Sequence, residues 1–83
     1  MESKFPNYNL LVIFKSKETL LNNTEKKLSP KHIKKIEDLN LVMRHGVTFA
    51  FLNDKFILVD ENGNEIGVLL MSDIDRFYFK REE

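Results

Sequence analysis

The chain has 83 residues, with 13 Lys and Arg against 13 Asp and Glu and no cysteine. That length suits one small domain near the lower limit of what a single core can hold together, so residues 1–83 are expected to form a single small α+β domain. The absence of cysteine excludes disulfides, thiolate metal sites and cysteine nucleophiles, and it suits a reducing compartment.

No apolar run approaches the roughly 20 residues that cross a bilayer, and residues 1–6 lack the layout of a signal peptide. The expectation is a soluble cytoplasmic protein with no membrane partner. The charges divide unevenly. Residues 1–45 hold nine Lys/Arg against five Asp/Glu, and residues 46–83 hold four against eight. Ten of the 13 cations are Lys, which favours a solvated charged face over the bidentate clamp that Arg supplies.

Residues 1–9 contain Pro6 and two Asn, and residues 1–8 are read as a mobile tail. Leu10-Leu-Val-Ile-Phe14 is a short apolar run, predicted as an N-terminal strand over 10–14 and interior to its sheet. Between 17 and 27 the spacing of Leu20, Leu21, Thr24 and Leu28 predicts a helix with a narrow apolar stripe. Ser29-Pro30 reads as an N-cap with Pro at the first helical position. It predicts a second helix over 30–43, with Ile33, Ile36, Leu39 and Met43 on one side and Lys31, Lys34 and Lys35 on the other. Leu41 and Val42 break that pattern, and a helix that ended near Asn40 would leave the alternation Leu39, Leu41, Met43 as the start of a strand, but the longer helix is favoured. Gly46 is placed at the C′ position of the longer helix.

Four apolar runs follow, at 47–52, 55–60, 65–70 and 74–79, and predict a four-stranded antiparallel meander. Asn53-Asp54 and Asn62-Gly63 supply hairpin turns, Asn62-Gly63 being the stronger signal. Ser72-Asp-Ile-Asp75 resembles a capping box, but the aromatic content of Ile74 to Phe79 favours a strand. The expected fold is α+β, this meander plus the 10–14 strand with one or two helices packed on one face.

Few residues suggest chemistry. Asp60 to Glu65 has alternating oxygen ligands, yet an EF-hand loop starting at Asp60 would need Gly where Glu65 stands and Glu where Met71 stands, so a hairpin turn is expected. His32 and His45 lack metal-ligand spacing. Ser3, Ser16, Ser29 and Ser72 lie in no nucleophile elbow. Asp73 and Asp75 form a nominal carboxylate pair without room for a substrate cleft. No catalytic residue, metal or cofactor is expected.

The meander does not alternate cleanly. Phe56 to Val59 and Val68 to Leu70 are continuously apolar, and Phe77, Tyr78 and Phe79 project both ways, so both sheet faces want cover. Two modest helices cannot supply all of it, so either the sheet curls into a small half-barrel or its second face is an interface, with itself or with another protein. The expected function is therefore a non-enzymatic binding protein, a regulator, inhibitor or adaptor, for instance a phage-type accessory protein. Its partner is another protein, with homodimerisation expected and Phe49, Phe51, Phe77 and Phe79 as the candidate interface. The alternative is a nucleic-acid-binding module in which Lys31, Lys34 and Lys35 contact phosphates.

Overall fold

The computed structural model of the chain describes residues 8–25 and 28–81. β1 (Tyr8–Phe14) is the continuous apolar run, lengthened at its start by two polar residues. Helix α1 (Lys17–Thr24) follows, its N-cap Ser16 accepting from the Thr19 N–H at 3.1 Å while Thr19 Oγ1 accepts from the Ser16 N–H at 3.1 Å. This reciprocal cap secures two of the donors that a short helix leaves unpaired. The last residues of the expected 17–27 helix lie partly outside the described residues, as does the expected tail except for Tyr8, which opens β1.

The helix expected over 30–43 does not form. Ser29 takes an extended conformation and makes no side-chain cap, Pro30–His32 is a single 3-10 turn, and the chain then runs as a hairpin, β2 (Ile33–Glu37) and β3 (Asn40–Met43). Asp38 turns it with φ 55°, a conformation that Asp tolerates better than most side chains. Ile33 and Ile36 share the spacing of a helix face, but a bulge between Ile33 and Lys35 produces that spacing here. A bulge inserts an extra residue and so breaks the two-residue alternation of a strand.

The four later runs are strands, β4 (Thr48–Leu52), β5 (Lys55–Val59), β6 (Glu65–Leu70) and β7 (Ile74–Arg81). They do not form one sheet. β4, β5 and β6 make a three-stranded antiparallel sheet, whereas β7 crosses over to pair with β1 in a four-stranded sheet ordered β2-β3-β1-β7. A 3-10 turn, Met71–Asp73, carries the chain between the sheets where a helical cap had been weighed. The inward faces meet in one core that includes Leu10, Val12 and Phe14 of β1, Leu41 and Met43 of β3, and Phe56, Leu58 and Leu69. Helix α1 adds Leu20 to it.

α1 also closes a sheet edge. β6 is an edge strand, and its Leu70 N–H donates to Asn23 Oδ1 at 3.3 Å. The fully buried Asn23 amide donates to Thr19 O at 2.7 Å and to Asp73 Oδ2 at 2.9 Å. One side chain thus joins the helix to the edge of one sheet and to the turn that enters the other.

Asn53-Asp54 forms the expected two-residue loop between the paired Leu52 and Lys55, with Asn53 at φ 58°, whereas the Asn62-Gly63 loop is longer. In the β5–β6 hairpin, Asp60 donates its N–H to Asn64 O at 2.9 Å and accepts from Gly63 N–H at 3.0 Å, with Gly63 at φ 85°. Gly63 alone takes the positive φ, as in a three-residue loop built on a type I turn. The Asp60 carboxylate also accepts from the backbone N–H groups of Asn62 and Asn64, both at 2.9 Å. These donors, the Asn64 N–H foremost, hold the Asp60 carboxyl below the usual carboxylate range despite the opposing effect of desolvation. The stabilisation is present at neutral pH and is lost as pH falls through that lowered pKa. Gly46, at φ 85°, turns β3 into β4 and does not end a helix.

These two glycines separate backbone strain from crowding. A Cβ at Gly63 meets nothing within 4 Å, whereas a Cβ at Gly46 falls 3.1 Å from Glu61 Cβ. Gly63→Ala should cost about 1–2 kcal/mol from the left-handed conformation alone. Gly46→Ala should cost about 1 kcal/mol more, because the Glu61 stem must also move. Thermal unfolding of the two variants side by side checks the order.

Candidate functional site

Strand register decides which side chains point outward. In the three-stranded sheet, Phe49 pairs with Leu58 and Phe51 with Phe56, so those residues face the core. Their neighbours face away. Ala50, Ile57 and Val68 form one cross-strand row, Leu52, Lys55 and Leu70 a second, and Thr48, Val59 and Glu65 a third. The outward face is therefore aliphatic at six positions, with Lys55 near one end and Glu65 near the other. Leu52 is 58% exposed and Leu70 is also exposed.

The structure gathers Phe49, Phe51, Phe77 and Phe79, but mainly in the interior. Phe49 stacks on the buried Phe56 at 5.0 Å and lies edge-on to Phe77 at 4.8 Å, with Phe79 at 5.9 Å. Phe49, Phe77 and Phe79 are half-buried against the core, and Phe51, 54% exposed, sits at the open end of the cluster. Such ring pairs at 4.5–7 Å stabilise beyond their burial. Of the four, Phe51 offers the most surface to a partner. The aliphatic residues one position along on β4, Ala50 and Leu52, form the larger exposed face, since neighbouring strand residues point to opposite sides.

The second outward face belongs to the four-stranded sheet. β7 alternates cleanly, with Phe77 and Phe79 inward and Arg76, Tyr78 and Lys80 outward, opposite Ile13, Leu11 and Asn9 of β1. Leu11 also pairs with Val42 of β3. Although outward, Leu11 and Val42 are only 6% and 7% exposed. They form the floor of a groove of about 430 Å³. One rim carries Lys34 and Lys35 of the edge strand β2, and the other Lys80 and Arg81 of the edge strand β7. The β2 bulge lets two consecutive lysines line one groove. Tyr78, 44% exposed, rises beside the floor. Among the described residues Glu37 is the one carboxylate of the lining, paired with Lys35 at 3.4 Å.

Lys31 lies on the 3-10 turn and does not line this groove, so the expected trio does not share one face. Lys34 and Lys35 instead join two cations from some 45 positions further along, a meeting made by sheet order that no local spacing announces. His32 is half-buried, its backbone N–H donating to Ser29 O and its carbonyl accepting from Arg44 N–H. His45 is exposed. Asp73 is engaged with Asn23 and, through its carbonyl, with the Lys15 N–H at 3.0 Å, while Asp75 is exposed on β7. The Asp60 oxygens hold their own loop. Among the described residues no three His, Asp or Glu are grouped as metal ligands, and no helix is long and apolar enough to cross a membrane. Compared with known proteins, the chain matches no family model, no curated protein and no solved structure.

Proposed function

We propose that this chain is a non-catalytic binding protein that acts through protein–protein contact, and that it pairs with a second copy of itself through the outward face of β4, β5 and β6. The observation that supports this reading is the aliphatic surface made by Ala50, Leu52, Ile57, Val59, Val68 and Leu70. An exposed aliphatic side chain forgoes roughly 1.5–3 kcal/mol of burial, and a contiguous apolar patch marks an interaction site.

The face is also self-complementary. A two-fold axis running across the strands would set the Lys55 row of each copy over the Glu65 row of the other, as an isologous contact requires. Its size limits the affinity. Strands of five residues, three abreast, give a footprint of about 17 by 14 Å, well short of the roughly 800 Å² per partner of a standard interface. Pairing is therefore weak and reversible, which suits a regulator or adaptor whose face is also available to a larger protein partner.

Sedimentation equilibrium from about 10 μM to about 1 mM should show a concentration-dependent dimer, in keeping with a sub-standard interface. Ile57→Lys, at the centre of the face, and Leu52→Glu, at its rim, should each leave a monomer with unfolding still cooperative. A wild-type monomer at the highest concentration, or a dimer indifferent to both changes, overturns the proposal.

A further inference from the structure

We propose that the groove on the outer face of the four-stranded sheet binds single-stranded nucleic acid. The site lies on a different sheet from the self-association face, so the two proposals stand or fall separately. Among the described residues its lining carries Lys34, Lys35, Lys80 and Arg81 against Glu37, four cations to one carboxylate. In a chain of zero formal net charge, that is a local concentration of positive potential, the electrostatic signature of a phosphate-tracking surface.

Where the charges sit matters as much as their number. They occupy the two edge strands, which three inter-strand gaps separate by about 14 Å. Between them lies the apolar floor of Leu11 and Val42, and the exposed ring of Tyr78 stands beside that floor on β7, opposite Leu11. Cations at both rims with an exposed aromatic beside the floor match a strand whose phosphates follow the edges while a base stacks on the ring. Asn40, half-buried in the lining, offers both a donor and an acceptor to a base edge. A duplex would not use this arrangement, because its bases are already stacked. An acidic peptide would use the lysines and leave the Tyr78 ring without a role.

The test is fluorescence anisotropy with a labelled mixed-sequence strand of about ten nucleotides, within the span of single-strand sites, as RNA, as DNA and as the matching duplex. At about 50 mM salt the single strands should bind and the duplex should bind more weakly. Three or four phosphate contacts give a slope of log affinity on log salt of about −2 to −3. Lys35→Ala and Lys80→Ala should each weaken binding severalfold for all sequences and flatten that slope by about 0.7. Tyr78→Ala should weaken binding about fivefold or more and leave the slope unchanged. All three side chains are exposed, so circular dichroism should confirm that the variants remain folded. Any of three results overturns the proposal: no binding at low salt, a duplex bound as tightly as the strand, or binding that polyglutamate abolishes and Tyr78→Ala leaves intact. The last would reassign the groove to an acidic protein surface.

Discussion

Phe56→Ala should destabilise the domain by about 3–5 kcal/mol, the range for deleting a fully buried phenyl ring. Phe56 has no exposed surface and lies at the middle of the aromatic cluster, 5.0 Å from Phe49, 5.6 Å from Phe51 and 4.8 Å from Phe77. Its removal takes away a partner from each of those rings and leaves a cavity between the two sheets, because Phe49 and Phe51 stand on β4 and Phe77 on β7. Domains of this length have only about 4–12 kcal/mol in total. The loss should therefore lower the midpoint by at least about 12 °C and can leave the chain largely unfolded near body temperature. Phe51→Ala is the control, as that ring is more than half exposed and should cost about 1 kcal/mol or less. Far-UV circular dichroism during thermal unfolding compares the two. Equal losses would show that the rings are not organised around Phe56.

Asn23→Asp should cost about 3–5 kcal/mol at neutral pH, as expected for a buried charge without compensation. The change keeps the shape of the side chain but replaces two N–H donors by an acceptor. Those donors serve Thr19 O and Asp73 Oδ2, so the new carboxylate would face a carbonyl and another carboxylate at hydrogen-bond distance. Burial and the neighbouring negative charge both favour its protonated form. Its folded pKa is thus raised above the unfolded value of about 3.9. For an acid shifted in that direction the penalty is small below the unfolded pKa and grows as pH rises through it. Urea unfolding at neutral and at acid pH, read as wild type minus variant, should show a difference that shrinks on acidification. Asn23→Ala should cost about 2–3 kcal/mol by stranding the Leu70 N–H, with far less pH dependence. A pH-independent difference for Asn23→Asp would overturn the assignment.

Much of the fold was legible because it is local. The strands of the second half follow from short apolar runs separated by Asn, Asp and Gly, and β1 follows from five consecutive apolar residues. The 30–43 segment was misread because three signals coincided: Ser-Pro, Ile33 and Ile36 at i, i+3, and lysines between them. An edge strand needs only one apolar face, and once a bulge interrupts its alternation the pattern imitates a helix stripe. The departure of β7 from the meander was also hidden. Antiparallel neighbours are chosen by pairing with distant residues, and Leu10-Phe79 and Val12-Phe77 are partners that no turn signal connects. The four phenylalanines do cluster, mainly against the core, but which side of β4 faces solvent depends on register, where a one-residue change reverses every side chain. The groove was legible only in part, since Lys34 and Lys35 stood out as basic residues whereas Lys80 and Arg81 reach them through sheet order.

That sheet order also governs when the protein can finish folding. β4, β5 and β6 are joined by tight turns and can zip together as soon as they exist, whereas β1 is flanked by β3 and by β7, whose partners lie more than 60 positions apart in the chain. Closing so long a loop must precede any reward from the pairing, and contacts of this kind slow the search. During synthesis β1 therefore waits with one side unpaired until the last strand has been made. The Phe77 and Phe79 side chains that complete the core arrive with that strand. The first of the described strands is thus the one whose partner is the last of them, and until β7 is made the nascent protein depends on its three-stranded half.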